Sequence, residues 1–162
     1  MIDYIPPEFE YVPFGSIEAS SCAPYVDDLS WRGIMIRMPE EIRLEPDDAP
    51  ILPICGFYQL SSLPLVQGAA MVVHLRGVNS TMVEEQSGRV VITDGQNEPD
   101  IPDPAANEPI DPELWRYKVS TAFFHLNGQS YFREALSPGS YELYVSYGDT
   151  KSNIVGFTVN HR

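Results

Sequence analysis

The last part of the chain alternates. Tyr141, Leu143, Val145 and Tyr147 interleave with Glu142, Tyr144 and Ser146, and a period of two places the first set on one face of a strand and the second on the other. Val155, Phe157 and Val159 repeat the pattern, so the two runs predict a hairpin closed over Gly148-Asp149-Thr150-Lys151. Further strands are expected at 33–38, 51–60, 69–78, 89–93, 119–126 and 129–135, with the final pair at 141–147 and 154–159. In the 69–78 run Met71, Val73 and Leu75 face one way and Val72, His74 and Arg76 the other. Arg89-Val-Val-Ile-Thr93, bounded by Gly88 and Asp94-Gly95, has the short β-branched composition of a core strand. Asn127-Gly128 between β-rich runs predicts a two-residue hairpin that sets Phe123 against Phe132 and His125 against Ser130. Register decides which of Phe123 and Phe124 is buried, and the pattern leaves that open.

Two segments break the pattern. Residues 1–30 are rich in Pro, Ser and acid with only short apolar runs, which suggests an extended arm packed on a single domain of residues 31–162. The loop 94–113 holds five prolines and seven carboxylates and no Lys or Arg. Missing backbone donors and mutual repulsion keep it extended, and no strand can run through it. Glu40 to Asp48 is acidic and holds at most one helical turn. Convincing helix signals are lacking, so the expected class is all-β, an antiparallel two-sheet sandwich of seven to nine strands.

The corner Leu136-Ser-Pro-Gly139 leading into Tyr141-x-Leu143-x-Val145 resembles the last two strands of immunoglobulin-like and fibronectin type III-like β-sandwiches. The resemblance implies that Tyr141, near the start of the penultimate strand, turns back to bond the backbone of the corner. It implies an architecture and no activity, because such sandwiches host unrelated functions.

With 162 residues and 43% hydrophobic content the chain can fill one core. Ten Lys and Arg against 23 Asp and Glu give a formal charge of −13, which repels nucleic acid and anionic membranes and leaves basic partners, cations and plain solubility. The N-terminus shows no secretory leader and no apolar run long enough to span a membrane, so the default is a soluble cytoplasmic protein, with export by a leaderless route equally compatible. Cys22 and Cys55 could pair or stay free. Their flanks lack a Cys-x-x-Cys spacing, and without a leader the expectation is two free, mostly buried thiols.

Candidate chemistry is sparse. His74, His125 and His161 show no metal-ligand spacing, and no Gly-x-Ser-x-Gly elbow accompanies a Ser-His-Asp set. Adjacent acids such as Asp27-Asp28 and Glu84-Glu85 would point to opposite faces of a strand, which suits solvated charge better than a glycosidase pair. Asp94, Glu98, Asp100 and Asp103 lie close enough in sequence to be calcium ligands, although the EF-hand spacing is absent. Tyr144, alternating away from the core, is a candidate for stacking on a partner or a sugar. The reading that results is a non-catalytic acidic module, without a required cofactor, that binds a protein partner with a basic surface through Asp94, Glu98, Asp100, Asp103 and Tyr144; an inhibitor of a basic toxin or enzyme, or an assembly component, would fit. The alternatives are a small hydrolase with its site dispersed in sequence and a calcium- or carbohydrate-binding sandwich.

Overall fold

The computed structural model of the chain describes residues 7–9, 11–44, 51–80, 85–90, 112–132 and 136–161. It is a β protein of two sheets. The elements in order are β1 (Gly33–Arg37), β2 (Glu41–Leu44), β3 (Pro53–Ser61), α1 (Ser62–Val66), β4 (Met71–Asn79), β5 (Gln86–Arg89), α2 (Pro112–Trp115), β6 (Val119–Asn127), β7 (Gly139–Tyr147), β8 (Thr150–Lys151) and β9 (Val155–His161), with 3-10 turns at Pro7–Phe9 and Gly128–Tyr131. The first sheet has the order β1-β3-β6; the second runs β2-β9-β7-β4-β5, with β8 also paired to β7. No helix among the described residues is long and apolar enough to cross a membrane.

The period-two pattern explains which face is buried. Tyr141, Leu143 and Val145 of β7, Val73 and Leu75 of β4 and Phe157 and Val159 of β9 are buried, and they share one apolar cluster with Ile34 and Ile36 of β1, Ile54 and Tyr58 of β3 and Phe124 and Leu126 of β6. Both sheets therefore bury one face in the same core. The Tyr141 hydroxyl donates to the Ser137 carbonyl at 2.6 Å, which ties the start of β7 to the corner before it.

β3 is buried on both faces, from Pro53 to Leu60. Ile54, Tyr58 and Leu60 belong to the common core. Their neighbours Cys55, Phe57 and Gln59 point the other way, where residues 11–32 cross the sheet without forming a strand. Tyr25 and Trp31 pack on Phe57 at ring separations of 5.4 and 6.0 Å. Gln59 Nε2 donates to the carbonyls of Asp28 and Trp31. A strand covered on both sides reads as a continuous apolar run, and Pro53-Ile-Cys-Gly-Phe-Tyr has that character.

Several expectations are corrected. Residues 129–135 were expected to form a strand paired with 119–126, but a 3-10 turn occupies 128–131 and β6 pairs with β3, so Phe123 faces Phe57 and His125 faces Cys55. The cause is tertiary. The Asn127 side chain accepts bonds from both Leu52 N and Gln129 N, and Gly128 N donates to Leu52 O; a Cβ on Gly128 would sit 2.9 Å from Ile54 Cδ1. The pair thus caps a turn docked on the chain before β3. Register buries Phe124 in the common core, and Phe123 lies outward beneath Tyr25.

The acidic stretch after Pro39 forms no helical turn at 41–44; it is β2, whose pairing with β9 is parallel, so the sheets are not wholly antiparallel. Of the strand expected at 89–93, residues 91–93 lie outside the described residues; the strand seen there is Gln86–Arg89, on the edge of the second sheet. Gly88, taken as its boundary, lies inside it, because a side chain there would strike the Tyr131 backbone. The hairpin turn after β7 is Gly148-Asp149 alone, with Thr150 and Lys151 already in β8; Gly148 takes a positive φ of 60°. Cys22 and Cys55, expected as free thiols, form a disulfide. The crossing segment lays Cys22 over β3 with a Cα separation of 5.8 Å, within the range a bridge requires.

Candidate functional site

Among the described residues, three places stand out for their polar or aromatic side chains. The first is beneath the crossing segment. Cys55 and His125 are cross-strand neighbours on the outward face of the first sheet, and the segment brings Cys22 and Ser20 onto them. Ser20 Oγ lies 2.6 Å from His125 Nε2 and 3.2 Å from Cys22 Sγ. His125 Nδ1 lies 2.8 Å from the Ser16 carbonyl. A carbonyl can only accept, so Nδ1 carries the proton and Nε2 presents its lone pair to the Ser20 hydroxyl. Gly15 N also donates to the His125 carbonyl at 2.9 Å. His125 is 1% exposed; with the disulfide it pins residues 15–22 to the sheet.

The second place is a cleft of about 850 Å³ beside that cluster. Residues 14–18 and the second half of β6 line it together with Tyr58, Met71, Arg89, Tyr131 and Tyr147. Burial raises the Tyr58 phenol well above its ordinary value, and the Tyr147 phenol adds to that rise. Burial also raises Tyr131 and Tyr147. All three phenols are therefore protonated at neutral pH and can donate hydrogen bonds.

The third place is the outward face of the second sheet. Tyr144 of β7 stands opposite His74 of β4, and their rings stack at 4.4 Å with planes 8° apart. His74 Nε2 meets Ser146 Oγ at 2.8 Å, and Lys151 Nζ lies 5.6 Å from the centre of the Tyr144 ring. The next cross-strand pair is Arg76 with Glu142, joined at 2.7 Å. Desolvation holds His74 below the ordinary histidine value and Lys151 pushes the same way, while Glu85 opposes both.

Of the residues singled out in sequence, Tyr144 lies on this third face, half-buried by its stack. Asp94, Glu98, Asp100 and Asp103 lie outside the described residues. His74 and His125 are far apart in role, one on the solvated face of the second sheet and the other in the cluster under the crossing segment. The Cys22–Cys55–His125 grouping was missed because its members lie in a non-strand segment, β3 and β6 with no short spacing between them. The hint was available only in alternation: Cys55 and His125 share a face with Phe57 and Phe123.

No protein-family model matches the chain, and no curated protein matches it significantly in sequence. Among solved structures, a β-glucosidase from Listeria innocua in complex with gluconolactone aligns with 91% of this chain at 13% identity and a TM-score of 0.34. The chain spans 17% of the length of that enzyme's chain. A likeness at this level carries no argument about this protein.

Proposed function

We propose that the protein is a non-catalytic, acidic interaction module, an immunoglobulin-like or fibronectin type III-like sandwich that docks a protein partner with a basic surface. The observation that carries this reading is the ordered pair of His74 and Tyr144 on the solvated face of the second sheet. Aromatic side chains already held by stacking lose little freedom when a partner covers them, so more of their contact energy reaches the complex. The face is favoured over the edges of β1 and β5. Asn153 occupies the outer edge of β1 by bonding both the amide and the carbonyl of Ile36, at 2.8 and 3.0 Å, and β5 abuts the Tyr131 backbone at Gly88. The formal charge of −13 suits a basic partner, with Asp94, Glu98, Asp100 and Asp103 contributing to its attraction. Calcium is not required by this reading.

The test is a pull-down from the native lysate with wild-type chain and with Tyr144→Ala. A partner recovered by wild type at low salt, lost at high salt and reduced with Tyr144→Ala supports the module. Equal recovery by both chains removes the face from the proposal.

A second reading rests on the Ser20–His125 bond beside the cleft, since a hydroxyl on the lone-pair nitrogen of an oriented imidazole is the arrangement of an activated nucleophile. Against it, the orienting acceptor is the Ser16 carbonyl in place of a carboxylate, and the imidazole is buried within its own contacts. Covalent labelling of Ser20 by a fluorophosphonate, abolished in Ser20→Ala, would favour this small hydrolase over the module.

A further inference from the structure

We infer that Cys22, Cys55 and His125 form a zinc site when the disulfide is reduced. The two sulfurs and one ring nitrogen of these residues all lie within 4.8 Å of one another, and all three residues are buried. Tetrahedral zinc with bonds of about 2.3 Å to sulfur and about 2.0–2.1 Å to nitrogen spaces its ligands roughly 3.6–3.8 Å apart. With the Cα atoms 5.8 Å apart, the spacing requires only that the two sulfurs, once no longer bonded to each other, turn apart about their Cα–Cβ bonds. The histidine is already set for the task. Its Nδ1–H is held by the Ser16 carbonyl, which is the outer-shell bond that orients a ligating imidazole, and its Nε2 lone pair, which meets the Ser20 hydroxyl in the oxidised chain, becomes available to a metal once that hydroxyl turns away. Ser20 Oγ, 2.6 Å from that nitrogen and 3.2 Å from Cys22 Sγ, lies where the ion would bind and must rotate aside, and a water would complete the fourth position.

The chemistry balances in two steps. A dithiol reductant transfers two electrons and two protons to the Cys22–Cys55 bond, giving two thiols and the oxidised, cyclic disulfide of the reductant. Zinc then displaces the two thiol protons and binds two thiolates and a neutral imidazole. The resulting unit has no net charge, which a buried position tolerates far better than an isolated thiolate or metal ion. The donor set is soft, so it selects zinc or cobalt over calcium or magnesium. In an oxidising compartment the same residues hold the segment by a disulfide, and in a reducing one by metal.

The test uses the full chain, oxidised and after phosphine reduction, titrated with cobalt(II) and with zinc(II). The reduced chain should bind one equivalent of cobalt with the visible spectrum of a tetrahedral site and thiolate charge-transfer bands. Zinc should bleach that spectrum, and its binding to the reduced chain should release protons as the thiols become thiolates. The oxidised chain should give neither signal. Cys22→Ser should lose the thiolate-rich spectrum, and His125→Gln should weaken cobalt binding at least tenfold. Should His125→Gln fail to fold, reduced wild type still decides the matter through zinc-dependent recovery of its thermal transition. Absence of one-equivalent binding by the reduced chain, or equal binding by the oxidised chain or by Cys22→Ser, overturns the site.

Discussion

Gly56 lies at the middle of β3, opposite Phe124 of β6, and a methyl group at its Cβ position would collide with Phe124 Cζ. Neither partner has room to retreat. β3 is hydrogen-bonded on both sides, to β1 and β6, and Phe124 is 6% exposed and packs at 6.3 Å from the Tyr58 ring. Gly56 has no positive φ, so Gly56→Ala imposes no backbone penalty and even restricts the unfolded chain. Any loss therefore reports overpacking, which costs about 1–3 kcal/mol. At about 2 kcal/mol the melting temperature falls by roughly 4–8 °C for a chain of this size. A double-mutant cycle makes the reasoning specific. Phe124→Leu alone leaves a void, but in the Gly56→Ala background the added methyl enters the space the ring vacated. The pair should be more stable than the sum of the singles by at least about 1 kcal/mol in urea unfolding. Additivity within about 0.5 kcal/mol would show that the methyl and ring do not meet, and the β3–β6 register would be wrong.

Val145→Asp should abolish the cooperative unfolding transition by burying an unpaired charge, whereas Tyr144→Ala on the solvated face should cost less than about 1 kcal/mol. Tyr141→Phe removes the bond to Ser137 O and should cost about 1 kcal/mol in chemical denaturation with no change of secondary structure by circular dichroism. Reducing the disulfide, which joins residues 33 apart, should cost about 3–4 kcal/mol in metal-free buffer by the loop-closure relation. His74 has a folded pKa below its unfolded value of about 6.5. The unfolded chain therefore binds its proton first, and the stability present above pH 6.5 should decline as pH falls through the histidine range, a slope that His74→Gln should flatten in thermal melts.

The strands that were legible are those with one face in water. β4 and β7 alternate cleanly because Val73 and Val145 face the core while His74 and Tyr144 face solvent. β2 carried the same signal in miniature, Glu41-Ile42-Arg43-Leu44, but four residues in an acidic setting resembled a loop, and its partner β9 lies at the other end of the chain. The Asn127-Gly128 pair misled because a local turn preference was outweighed by bonds to Leu52, a residue 75 positions away. The disulfide and its histidine were illegible for a related reason. Their meeting depends on where residues 11–32 cross the first sheet, and a segment without periodicity does not announce its path. Tyr144 could be placed on the solvated face by alternation alone, but its stack on His74 required the β4–β7 register.

The proposed docking function is tested most directly by association kinetics with the captured partner, measured by stopped flow across a salt series. The comparison is wild type against a chain in which Asp94, Glu98, Asp100 and Asp103 are replaced by Asn or Gln. Electrostatic attraction predicts a several-fold slower association of the neutralised chain at low salt, a difference that vanishes as salt screens it, and an unchanged melting temperature. Equal rates at every salt concentration would contradict the acidic module.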